Sequence, residues 1–194
     1  MTRRPALARR VAVLAAVIAA GCGSSPEPVY YALSPVAGAR QPAPARVLVV
    51  RRPTIAGYLD RDPIVGRVEG YRLVVLRGER WAEPLAAMLG RVLAEELSER
   101  LPDSTVVTEE AEIGAEPDAV VNVDVQRFDA GPDGEVVARA QVMLEIGHGH
   151  PRTLSRSLEL AARPAAGGTP ALVATMSALL GRLADAISDM LRDV

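Results

Sequence analysis

Apolar residues recur along this chain in two rhythms, and the rhythms divide it into strands and helices. Val121, Val123 and Val125 alternate with Asn122, Asp124 and Gln126, the two-residue period of a strand with one covered face. Gly131-Pro132-Asp133-Gly134 supplies a turn. Val136, Ala138, Ala140, Val142, Leu144 and Ile146 then resume the alternation, which predicts a hairpin. Leu154, Leu158 and Leu160 predict a further strand beyond a turn at 148–151. Upstream, residues 29–33 predict a strand and 34–45, with Pro35, Pro42 and Pro44, a loop. Val47, Leu48, Val49 and Val50 form an unbroken apolar run that suits a strand covered on both faces. Shorter strands are predicted at 64–68 and 71–76, with a turn at Glu69-Gly70, and at Val106-Val107.

Two stretches change to a three- and four-residue step. Trp81, Leu85, Met88, Leu89, Val92, Leu93 and Leu97 make one apolar stripe, opposed by Glu83, Arg91, Glu95 and Glu99. This predicts a helix from near Trp81 to Leu101-Pro102. In the second, Thr169-Pro170 reads as an N-cap followed by proline at the first helical position. Its stripe runs through Leu172, Val173, Met176, Leu179, Leu180, Leu183, Ile187, Met190 and Leu191. The sum is an α+β fold in which two long amphipathic helices pack on one face of a largely antiparallel mixed sheet. A doubly wound fold is disfavoured, because the strands are not each followed by a helix.

The N-terminus carries a different signal. Arg3, Arg4, Arg9 and Arg10 precede an apolar run from Val11 to Ala20, and no acid precedes Glu27. An apolar run of about ten residues falls short of the roughly 20 needed to span a bilayer and matches a secretory signal. Ala19-Ala20-Gly21-Cys22 resembles the lipobox at which bacterial lipoproteins are cleaved and acylated, although Ala19 stands where leucine is usual. Cys22 is the only cysteine, so an internal disulfide is impossible and lipidation gives the thiol a role. The expected organisation is a signal peptide over 1–21, a lipidated start and tether over 22–28, and a single domain over 29–194. By analogy with bacterial sorting, Gly23 after the cysteine favours the outer membrane, with the domain on its periplasmic face.

Removal of 1–21 takes four arginines and no acid, which leaves 18 arginines against 24 acids and a formal charge of about −6. Nucleic-acid binding, which draws on clustered positive charge, is disfavoured. The chain lacks a nucleophile elbow, a Walker loop and a Rossmann glycine pattern, so no enzyme activity and no cofactor are expected. His148-Gly149-His150 supplies two ligands where a metal site needs three or four, and reads as a turn. The acidic residues from Glu109 to Glu116 lack calcium-loop spacing and read as solvated.

Two segments are candidates for a partner contact. Tyr58-Leu59-Asp60-Arg61 lies in a loop bounded by Pro53, Gly57 and Pro63, and loops dense in aromatic and charged residues often carry function. The same residues also suit a structural loop in which Asp60 accepts backbone N–H bonds and Arg61 pairs with an acid. Arg80, Trp81 and Glu83 open the first helix. Trp81 reads either as core or as an exposed interface anchor.

These residues resemble a known family. Tyr30-Tyr31-Ala32-Leu33 soon after a lipobox cysteine, then Tyr58-Leu59-Asp60-Arg61 with Ile64-Val65 and Arg67, are similar to the ABC-type transport auxiliary lipoproteins, the PqiC/YmbA-like family. Residues 80–85 running into 91–97, Val121 to Phe128, and the C-terminal helix extend the resemblance over most of the chain. A tryptophan expected near Ala140 to Val142 is missing. The resemblance implies a non-catalytic accessory or docking subunit, held in the outer membrane by its lipid. Its implied partners are an MCE-domain protein and an ABC-type transporter or membrane subunit that move lipid between membranes. It also implies possible homo-oligomeric rings. The rival expectation is a structural or assembly lipoprotein of a secretion or efflux complex.

Overall fold

A computed structural model describes residues 27–43, 45–69, 71–111 and 116–193. Strands β1 (Val29–Tyr31), β2 (Val47–Val50), β3 (Thr54–Ile55), β4 (Pro63–Arg67) and β5 (Leu73–Trp81) precede helix α1 (Leu85–Arg100). Then follow β6 (Thr105–Thr108), β7 (Ala119–Ala130), β8 (Val136–Ile146), β9 (Arg152–Ala162) and helix α2 (Thr169–Arg192). Cys22, the signal segment and the tether up to Pro26 lie outside the described residues.

The strands form two mixed sheets rather than one. One has six strands in the order β6-β2-β7-β8-β9, with β3 also paired to β7; the other has three, in the order β1-β5-β4. The long pairs β7–β8, β8–β9 and β4–β5 are antiparallel. The short strands β1, β2, β3 and β6 pair in parallel. Parallel pairing follows from connectivity, since β2 and β6 are joined across α1. The alternating pattern that predicts a covered face carries no information about strand direction.

In the β7–β8 hairpin Val121 faces Leu144, Val123 faces Val142 and Val125 faces Ala140, and all six are buried. Against this sheet α1 packs on β2 and β6, while α2 packs on β8 and β9 and also touches α1. Leu48, Val50, Met88, Leu97, Leu179 and Ile187 close the core at 0 or 1% exposure. Each such side chain contributes about 1.5–3 kcal/mol by leaving water. Val47–Val50 is buried along most of its length, as its unbroken apolar run requires.

A β-bulge interrupts β7 between Val125 and Arg127. The extra residue reverses the alternation, so Phe128 continues the core face opposite Ala138, while Arg127 and Asp129 turn to the other face. That reversal sets up the charged cluster described below.

Two expected boundaries move. Trp81 ends β5, its N–H donating to the Asp62 carbonyl at 2.7 Å, and α1 starts only at Leu85. Pro84 holds the residue before it out of the helical region and occupies the N-cap position. Glu83 therefore precedes the helix instead of lying in its first turn. Gly168, with φ 94°, is the N-cap of α2, and Thr169 is its first residue. The two-residue strand β3 is too short to show a period and was absent from the expected elements.

Candidate functional site

The loop between β3 and β4 is built around a buried carboxylate. Leu59, 2% exposed, plugs the core from within the loop, and its N–H donates to the Ala56 carbonyl. This turns the neighbouring Tyr58 hydroxyl toward Asp129, where it donates to Oδ2 at 2.5 Å. Arg67 Nε on β4 donates to the same oxygen at 3.1 Å, and Arg127 Nε on β7 donates to Oδ1 at 2.9 Å. The Arg67 guanidinium also lies 5.0 Å from the centre of the Tyr58 ring. Asp129 exposes no surface. A carboxylate removed from water is tolerated only when its lone pairs are filled, and here three donors fill them. Burial, and then the hydrogen bond to Asp129, raise the Tyr58 hydroxyl above its ordinary pKa. The cluster ties the three-stranded sheet to the six-stranded one.

The remaining loop residues point outward. Asp60 and Arg61 are exposed, and among the described residues their side chains make no hydrogen bond or ion pair. The bonds expected of Asp60 and Arg61 therefore have no counterpart among the described residues, whereas Tyr58 and Leu59 are held within the fold by hydrogen bonding and packing. The structure brings the two candidate segments together: Pro63 registers with Arg80, and Arg80 lies 3.9 Å from Asp62. Trp81 sits in the core at 5% exposure, which leaves almost no surface for an interface anchor. Glu83 turns away and binds Arg91 Nη2 at 2.6 Å, lining a surface groove of about 230 Å³ with Arg52, Gly90 and Thr108.

A second polar network escaped sequence reasoning. The segment from Leu33 to Gln41 crosses both helices and is held by their buried polar groups. Glu96 Oε1 accepts the Val36 N–H at 2.9 Å, and Ser177 Oγ accepts the Ser34 N–H at 3.1 Å. Arg100, 1% exposed, donates to Asp185 Oδ1 at 2.7 Å and to the carbonyls of Val36, Glu96 and Gly181. Glu96 is wholly buried, its Oε2 has no partner, and burial pushes its carboxyl up to about 7. The available signal was the helical phase, because Glu96 and Arg100 lie four residues apart beside the apolar stripe.

The two networks brace the fold, one across the sheets and the other across the helices. Among the described residues no group of three or more His, Cys, Asp or Glu could hold a metal ion. His148 Nε2 lies 3.7 Å from Asp118, whose carboxylate is held below its ordinary range by the N–H groups of Val47 and Arg46. Helix α2 is long and apolar enough to cross a membrane, but Val173, Met176, Leu179, Leu180, Leu183 and Ile187 spend its stripe on the core.

The fold has solved relatives. The crystal structure of an uncharacterized protein superposes with a TM-score of 0.72 at 22% identity, covering 84% of this chain and 98% of that one. That of protein XCC0632 from Xanthomonas campestris superposes with a TM-score of 0.69 at 21% identity, covering 82% and 92%. At these identities the likeness establishes the fold alone. No curated protein matches the chain. The family model described as the ABC-type transport auxiliary lipoprotein component matches residues 31–188, so the chain belongs to that family.

Proposed function

We propose that this chain is a non-catalytic docking subunit of an MCE/ABC-type intermembrane lipid transport system. In this reading it is acylated at Cys22 and held on the periplasmic face of the outer membrane. The observation that carries it is the family match over residues 31–188, which describes an auxiliary lipoprotein of ABC-type transport. The fold supports docking over lipid carriage, because both helical stripes are consumed by one core. The docking surface is the rim formed by exposed Asp60 and Arg61 with half-buried Arg80, while Glu83 is turned toward Arg91. Core residues Leu59 and Trp81, with half-buried Tyr58 packed against them, act beneath this rim as its support. A rim of charged residues over a rigid base sets partner choice and encounter rate.

Photocrosslinking from Asp60, Arg61 and Arg80 in whole cells tests this reading. The expected product joins the chain to an MCE-domain protein, with the lipoprotein in the outer-membrane fraction. Crosslinks only to secretion or efflux components would instead make it an assembly lipoprotein of another envelope complex. A Cys22→Ser chain is expected to lose acylation and membrane association together.

A further inference from the structure

The three-stranded sheet carries an apolar feature that the core does not use. Beyond its contact with β1, strand β5 runs out into the hairpin it forms with β4. There Leu73, Val74 and Val75 are 37, 38 and 44% exposed, and Tyr71 near the turn is 103% exposed. Arg72 and Arg77 flank them and are also exposed. No described element covers this surface. Exposed aromatic and aliphatic side chains interleaved with arginines suit the boundary between phospholipid headgroups and acyl chains.

Strand direction says which surface covers it. β1 pairs with β5 in parallel, with Val29 opposite Glu79 and Tyr31 opposite Trp81. Going back from Val29 toward the N-terminus therefore means going from Glu79 toward Leu73 and Tyr71. Val29 and Tyr30, 52 and 61% exposed, lie along that line, one on each face of the sheet. The seven steps from Val29 to Cys22 span at most about 25 Å of fully extended chain. The six steps from Glu79 back to Leu73 span at most about 20 Å of strand, with Tyr71 in the turn just beyond. An acyl chain on Cys22 thus brings the bilayer within reach of the hairpin tip, on the side from which β1 enters the sheet.

We propose that the β4–β5 hairpin is a second membrane contact, inserting Tyr71, Leu73 and Val75 into the phospholipid interface beside the lipid anchor. It rests on acylation of Cys22. Two attachments fix the orientation of the domain on the bilayer, where a single tether would leave it free to turn.

The test uses the full-length acylated chain reconstituted in phosphatidylethanolamine/phosphatidylglycerol vesicles, with and without brominated acyl chains. Tyr71→Trp places an indole at the tip, and Ser157→Trp on exposed β9 is the control. The buried Trp81 supplies a constant background read from the unsubstituted chain. The expected result is a blue shift of the introduced indole at the tip and loss of most of its emission to brominated lipid, with the control unaffected. If the chain floats with the vesicles while the tip indole stays unshifted and unquenched, the hairpin proposal is overturned and acylation stands. If the chain fails to float and its mass shows a free Cys22 thiol, both fall. A shift that follows protein concentration at fixed lipid assigns the surface to a second copy and also overturns the proposal.

Discussion

Replacing Glu96 by glutamine isolates a charge that the fold keeps at a cost. The carboxyl is wholly buried between α1, α2 and the crossing segment, and only one of its oxygens has a partner. Burial is the main cause of its elevation from 4.5 to about 7; the Val36 N–H and Arg100 oppose it, and Asp185 and Glu99 add to it. Arg100 offers limited help because it already binds Asp185 and three carbonyls. A carboxyl that holds its proton more tightly folded than unfolded stabilises the protein most below about pH 4.5, and that contribution is lost as pH rises through 7. The full span corresponds to about 3 kcal/mol, of which about 2 kcal/mol falls between about pH 5.5 and 8.5. For a domain of this size that lowers Tm by about 4–8 °C over the interval. Glu96→Gln retains an acceptor for Val36 and removes the titration, so its Tm should lose this slope whatever its absolute value. Calorimetry or circular-dichroism melts of both proteins across the interval make the measurement. Parallel curves would refute the reasoning, since the slope would then belong to other groups.

Three further outcomes follow from the same packing. Asp129→Ala leaves Arg67, Arg127 and Tyr58 facing an emptied site, and denaturant unfolding should show a loss of about 3–5 kcal/mol; Asp129→Asn, which still accepts from Tyr58, should lose less. Gly38→Ala would place a Cβ 2.3 Å from the Arg100 guanidinium carbon. Because that guanidinium is pinned by four acceptors it cannot yield, and the same assay should register about 1–3 kcal/mol. Arg61→Glu, on an exposed side chain without partners, should change stability by no more than about 0.5 kcal/mol while abolishing the partner crosslink from position 60; equal crosslinking would remove Arg61 from the docking surface.

Much of the secondary structure was legible from periodicity. The β7–β8 hairpin follows from its alternating valines and its Gly-Pro-Asp-Gly turn, and the body of each helix follows from its stripe. A one-sided pattern is local chemistry, readable wherever one face must leave water. Boundaries were less legible: Trp81 fits a helical stripe as well as a strand end, and only its bonding to Asp62 and Tyr31 separates the two. The candidate loop was found from its composition, but its division into half-buried Tyr58, buried Leu59 and exposed Asp60 and Arg61 was not.

The chain's own order of residues was enough to define an α+β domain, along with the family it resembles. Tertiary structure alone decided that the sheet splits in two, that four strands pair in parallel, and that Asp129, Glu96 and Arg100 lie inside. The physical reason is distance along the chain. Arg100 meets Asp185 and Tyr58 meets Asp129 across separations of 85 and 71 residues, and no local period can report a partner so far away. The burial of a charge is settled by those partners, and so it belongs to the assembled fold.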